Sequence, residues 1–79
     1  MKNPGRIELV YPRDGTPDDE SWLRLVGANG NIVLTSEMYA NRSNARRAAK
    51  VIAKWSGLQV RDAQTGKVLV EAEPDLVHG

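Results

Sequence analysis

The sequence predicts an α+β fold: a β-β-β-α-β-β unit, with a mainly antiparallel sheet and one helix packed on it. Three observations predict it. Two β-rich runs flank an Asn-Gly pair at 29–30. One stretch near 43–56 repeats its apolar residues with the period of a helix. Further β-rich runs, bounded by turn residues, stand before and after. At 79 residues the chain is a single domain, 1–79.

"RIELVY" (6–11) is β-rich and mostly apolar, and Pro12 stops it, so it reads as the first strand. Residues 12–20 hold two prolines, a glycine and the acids Asp14, Asp18, Asp19 and Glu20, the composition of a flexible acidic loop. In "SWLRLVGANGNIVLTS" (21–36), Asn29-Gly30 suits a two-residue type I′ turn, because both positions of that turn need φ > 0. The turn sets Val26 opposite Val33 and Leu25 opposite Leu34. Side chains alternate along a strand. Leu23, Leu25, Ile32 and Leu34 therefore share one face, and Trp22, Val26 and Val33 share the other with Arg24 and Thr35. Both faces are substantially apolar, and one helix covers only one of them.

Ser43 is the expected N-cap of that helix, which runs to about Ser56 with Gly57 as its C′ residue. At 100° per residue Ala45, Ala48, Ala49, Val51, Ile52 and Trp55 fall in one arc, with Trp55 expected in the core. Arg46, Arg47, Lys50 and Lys54 fall in the opposite arc, with Arg42 just before it. "LQVRD" (58–62) alternates as a strand, "AQTG" is a turn, and "KVLVEAE" (67–73) is the last strand. Pro74 ends it, and 74–79 is a frayed tail.

Apolar residues make up 41% and charged residues 27%, too apolar for a disordered chain. A domain of this size buries only about 60% of its unfolded surface, so the core is thin. There is no cysteine, hence no disulfide or thiolate metal site, and oligomerisation is the remaining common support. The N-terminus lacks the apolar run of roughly 7 to 15 residues of a signal peptide. No stretch approaches the roughly 18 apolar residues of a membrane span. A cytoplasmic protein is expected, with no membrane partner.

"LRLVGANGNIVLTSEMYANRSNA" (23–45) resembles the core of the YegP-like family, small bacterial and archaeal domains of unknown function. The residues that carry the resemblance are Arg24-Leu25, Ala28-Asn29-Gly30, Thr35-Ser36-Glu37, Tyr39 and Arg42. They cover roughly a third of the chain, and the element order agrees over most of the rest. Met38 stands where the family pattern has Gly. The Arg/Lys-rich helix departs from a surface that is mixed or acidic in the family. The resemblance implies two such units sharing one sheet and exchanging C-terminal strands, here as a homodimer. The candidate dimer face is Trp22, Val26 and Val33, with Val68 and Val70 of the last strand. The resemblance transfers no activity and no catalytic residues. The Arg- and Ala-rich usage fits a bacterium or a bacterial virus.

Enzyme chemistry finds little support. The one histidine, His78, is penultimate, in the frayed tail, whereas nucleophile–His arrangements need a rigidly held base. The acids of 12–20 do not follow the alternation of a calcium loop. "GANGN" lacks the Gly-Lys-Ser/Thr ending of a phosphate loop. No enzyme, cofactor or metal site is expected. The helix stretch 41–54, however, carries five cations and no acid, in a chain of net charge +1. Arg46 and Arg47 lie near the helix start, where the dipole disfavours cations, and no Glu–Lys i,i+4 pair neutralises the stripe. Arg42, Arg46, Arg47, Lys50 and Lys54 form a solvated face, a dock for an acidic protein, or a weak, sequence-tolerant nucleic-acid surface. The modest net charge weighs against a dedicated nucleic-acid binder. The reading that best fits is a small, non-enzymatic, dimeric interaction or accessory module.

Overall fold

The computed structural model describes residues 5–16 and 18–71. The expected tail, 74–79, and the end of the last strand lie outside the described residues. Five strands and one helix follow in the expected order: β1 (Arg6–Val10), β2 (Trp22–Val26), β3 (Ile32–Thr35), α1 (Arg42–Ser56), β4 (Gln59–Asp62) and β5 (Val68–Val70). They build one sheet in the order β3-β2-β1-β4-β5. All neighbours are antiparallel except β1 and β4, which run parallel at its centre. A parallel return needs a crossover, and α1 supplies it from β3 at one edge to β4 beyond the centre.

The core lies between α1 and one face of the sheet. Ile7 stands opposite Leu25 on one side and Val60 on the other, and Leu9 opposite Leu23. On the helix, Ala45, Ala49 and Ala53 recur every fourth residue and are 0–3% exposed. This stripe of methyl groups lets the helix backbone approach Ile7, Leu9, Leu23 and Val60 closely.

The helix begins earlier than expected. Asn41, not Ser43, is the N-cap: its Oδ1 accepts the Asn44 N–H at 2.8 Å, so Arg42 is the first helical residue. At the other end Gly57 takes the left-handed conformation at φ 78°, and its N–H donates to the Ala53 carbonyl at 2.7 Å, as expected of a C′ glycine.

The hairpin turn also differs. No described residue other than glycine has positive φ, so Asn29 is not in the type I′ conformation. The Gly27 N–H donates to the Asn31 carbonyl, the Gly30 N–H donates to the Gly27 carbonyl, and Gly30 alone is left-handed, at φ 88°. This is a three-residue loop closed by a left-handed glycine. It sets Val26 opposite Ile32; a bulge then leaves Val33 unmatched and restores Leu25 opposite Leu34. Ile32 is thereby moved to Val26's side of the sheet.

Trp55 is corrected from core to surface: it is 80% exposed, and Val51 is 44% exposed. The reason is geometric. The seated stripe is narrow because it is alanine, and Trp55 lies roughly 120° round the helix from Ala49.

The face away from α1 was expected to be apolar. Its centre is instead Glu8, 6% exposed, whose carboxylate accepts Arg6 Nε and Arg24 Nε, each at 2.7 Å. Arg61 stands opposite Glu8 on β4. Trp22 and Val26 do share this face, and Val26 is already buried within one chain. Val68, opposite Arg61, reaches it too. Val70 does not: a register shift in the β4–β5 ladder places it opposite Val60, packed against the helix-side core.

Two substitutions check this core. Ala49→Leu should destabilise by about 1–3 kcal/mol by lifting the helix off the sheet. Leu9→Ala should cost about 2–5 kcal/mol through a cavity. Urea denaturation followed by circular dichroism reads both. An Ala49→Leu protein as stable as the parent would show that the close helix approach is not required.

Candidate functional site

The five cations of the helix stretch do not act as one stripe. Arg42, one turn before the alanine stripe closes on the sheet, is half-buried with its guanidinium 3.7 Å over the Tyr11 ring. Such stacking holds a planar cation in place. Arg46 follows one turn later on the same flank, and both overhang the β4–β5 turn. Arg46, Arg47 and Lys50 border a second, shallower concavity with Ser43. Lys54 is exposed near the helix end. The sequence pattern brings the five together on a helix face; the structure divides them between a cleft and open solvent.

The β4–β5 turn is tied down by Asp62. Its Oδ1 accepts the N–H groups of Gln64 (2.8 Å) and Thr65 (3.0 Å), and its Oδ2 accepts the Tyr11 hydroxyl at 2.7 Å. Burial raises the Asp62 pKa, but the Tyr11 and Thr65/Gln64 hydrogen bonds outweigh it and hold the group below its ordinary 3.8. The same bond to Asp62, with burial second, pushes Tyr11 above its ordinary 10.0. Gln64 Nε2 also donates to the Tyr11 and Pro12 carbonyls, which clamps the turn to the end of β1. Nothing in the sequence pattern singles out Tyr11, Asp62 or Lys67: Tyr11 and Asp62 meet across 51 residues of chain, and Lys67 joins Arg42 and Arg46 only across the cleft.

On the other flank of α1 the surface is apolar. Ile52 packs toward Leu25 and Leu34 over β2 and β3. Beyond it Trp55 and Val51 are exposed, and all of β3 is exposed: Ile32 54%, Val33 61%, Leu34 56%. Among the described residues β3 is an edge strand, paired on one side only. The expected dimer face of Trp22, Val26, Val33, Val68 and Val70 is not one surface, since Val70 is on the helix side and Val33 sits in the edge bulge.

The segment after β3 is structural. The Leu23 N–H donates to Ser36 Oγ (2.9 Å) and the Ser36 N–H to the Leu23 carbonyl (2.8 Å). Ser21 and Tyr39 exchange backbone bonds at 3.0 and 2.7 Å. Thr35-Ser36-Glu37 and Tyr39 thus continue the β2 pairing and deliver the chain to Asn41. Among the described residues no three His, Cys, Asp or Glu side chains converge to hold a metal, and no helix is long and apolar enough to cross a membrane.

These elements define the class: a five-stranded α+β unit whose most distinctive segment is the hairpin, its continuation and the helix. A family profile described as Domain of unknown function (DUF1508) matches residues 18–56, which is that segment. Over that segment the chain is similar to that family, of which YegP-like proteins are members. No curated protein and no solved structure matches the chain.

The Glu8 cluster sets a pH dependence. Burial pushes Glu8 up, but the hydrogen bonds and charges of Arg24 and Arg6 hold it below its ordinary 4.5. A carboxylate held low in the folded state stabilises above its unfolded value, and that stability is lost as pH falls through the folded value. Glu8→Gln should cost about 1–3 kcal/mol at neutral pH and give a shallower loss below pH 4.5, with the Asp62 share remaining. Urea midpoints at neutral pH and at about pH 3 measure both.

Proposed function

We propose that this protein is a small, non-enzymatic interaction module that works as a homodimer. The observation that carries the reading is exposed apolar surface: an edge strand, with no second strand partner among the described residues, bearing Ile32, Val33 and Leu34, and on the helix Val51 and Trp55, all exposed in a single chain. Edge strands are normally blunted by charge, proline or a cover. β3 has no charged side chain. Contiguous exposed apolar surface of this kind marks an interaction site.

A second copy is the best-fitting occupant. Two β3 edges meeting about a twofold axis present the same uncharged, apolar strand to each other, and each copy's Trp55 and Leu34 to its partner. The cations lie on the opposite flank of α1 and do not repel the approach. The strand exchange implied by the family resemblance is a separate matter: β5 pairs with β4 of its own chain, and exchange would keep the same ladder while changing which chain supplies it.

Light scattering should give about twice the 8.7 kDa of one chain. Leu34→Glu or Trp55→Glu should return it to one chain without unfolding, since both residues are exposed. A single-chain mass at every concentration tested would overturn the dimer.

A second reading concerns the cations. Arg46, Arg47 and Lys50 border one concavity with no acid among them, which favours weak, sequence-tolerant nucleic-acid binding. With Arg42 held on Tyr11, about four phosphates remain to be engaged, for a log–log salt slope of about −3 to −4. Fluorescence polarisation on a random duplex and a random single strand between about 50 and 200 mM salt tests it. No affinity at the lower salt would leave the stripe as a solvated face or a dock for an acidic protein.

A further inference from the structure

We infer that the cleft between the first turns of α1 and the β4–β5 turn binds the phosphate group of a small phosphomonoester. The cleft encloses about 470 Å³, inside the range of roughly 300 to 1,000 Å³ of small-ligand sites. Its floor is Leu9 and Leu69. Around the floor stand Arg42 and Arg46 from the helix, Lys67 from the far end of the turn, and the hydroxyl residues Ser43 and Thr65. Two cations thus face the third across the opening.

The cations lining the cleft, which have no acid paired to them, are the observation that points to a ligand. Among the described residues the ion pairs are those of Glu8 with Arg6 and Arg24, so Arg42, Arg46 and Lys67 are all without one. Asp62 lines the same cleft, but both its oxygens are already occupied by Tyr11, Gln64 and Thr65. Tyr11 holds the Arg42 guanidinium at the cleft rather than letting it swing to solvent. A bound oxyanion would give these three cations the counter-charge they lack.

The charge selects the ligand. Three cations against one carboxylate leave two positive charges in excess, which match a phosphomonoester dianion better than a singly charged phosphodiester. The first turn of α1 contains no acid, and its dipole adds in the same direction. A donor set of two arginines, a lysine and hydroxyls, seated on an apolar floor, suits a phosphate carried on a small organic body. This inference does not depend on self-association, because the cleft lies on the flank of α1 away from β3.

The test is a titration of the ¹⁵N-labelled full chain, above about pH 7 where a phosphomonoester is dianionic. Inorganic phosphate and adenosine monophosphate are the probes; chloride at equal ionic strength and a short unphosphorylated DNA duplex are the controls. Saturating amide shifts are expected at residues 43–46 and 64–67 with both phosphates and not with chloride. Arg46→Glu and Lys67→Glu should each weaken binding by about tenfold or more, and Lys54→Glu should leave it unchanged. All three residues are exposed, and circular dichroism checks that the variants fold; the neutral pair Arg46→Gln and Lys67→Gln repeats the test without charge reversal. Binding should also fall as the probe is protonated below about pH 6. Shifts that follow ionic strength alone, or binding that survives in the variants, would overturn the site. Shifts at the same amides with the duplex but not with the mononucleotide would overturn the ligand class.

Discussion

The structure depends on one constraint: a single helix must cover a five-stranded sheet. At roughly 4.8 Å between strands the sheet is about 19 Å across, while a helix is about 10 Å wide. Ala45, Ala49 and Ala53 resolve the fit by drawing α1 tight onto the sheet's central strands, where the core then closes. What remains is a strip on either side of the helix that none of the described elements covers. The two strips have opposite character because the helix's two shoulders do. Arg42 and Arg46 lean over β4 and β5; Ile52 leans over β2 and β3.

The face away from the helix is solved by charge instead of cover. Glu8 at its centre is enclosed by Arg6 and Arg24, whose stems lie along the strands while their guanidinium groups neutralise the carboxylate. Burying a lone carboxylate would be prohibitive. The two arginines make it tolerable, and a second apolar layer is unnecessary at that point. Tyr11 has the corresponding role at the end of β1: one side chain touches Asp62 through its hydroxyl and Arg42 through its ring. That contact joins the β4–β5 turn to the helix start and so shapes the cleft between them.

Much of this was legible in the sequence, and the limits have physical causes. Local signals served well. The run 21–36 gave the hairpin, Gly57 ended the helix, and periodicity placed Ala45 and Ala49 against the sheet. Failures came where the answer depends on neighbours far along the chain or on a one-residue choice. Asn41 and Ser43 are both good caps, and only the path from Tyr39 decides between them. Asn-Gly permits a type I′ turn, but the chain uses the three-residue form, and the bulge at Val33 then moves Ile32 to the other face. Trp55 was assigned by hydrophobicity, yet the width of the buried stripe is set by its alanines. Val70 was misplaced by a register shift that no alternation rule contains. The sequence groups the five helix cations as one stripe and does not single out Lys67. Their division into cleft and open face required Tyr11, Asp62 and Lys67, which carry no motif.

The two uncovered strips also bear on stability. A domain this small has a thin core, and whatever binds only the folded form adds stability by mass action. A second copy over the β3 flank would bury the exposed apolar side chains that the single chain leaves in water. An anion in the β4–β5 cleft would give Arg42, Arg46 and Lys67 an ion partner that the described residues do not supply. The strips lie on opposite sides of α1, so neither occupant obstructs the other. A twofold pairing through β3 places the two clefts at the outer ends of the joined sheet, facing solvent. The helix that is too narrow for its sheet therefore leaves two separate surfaces among the described residues, one apolar and one basic.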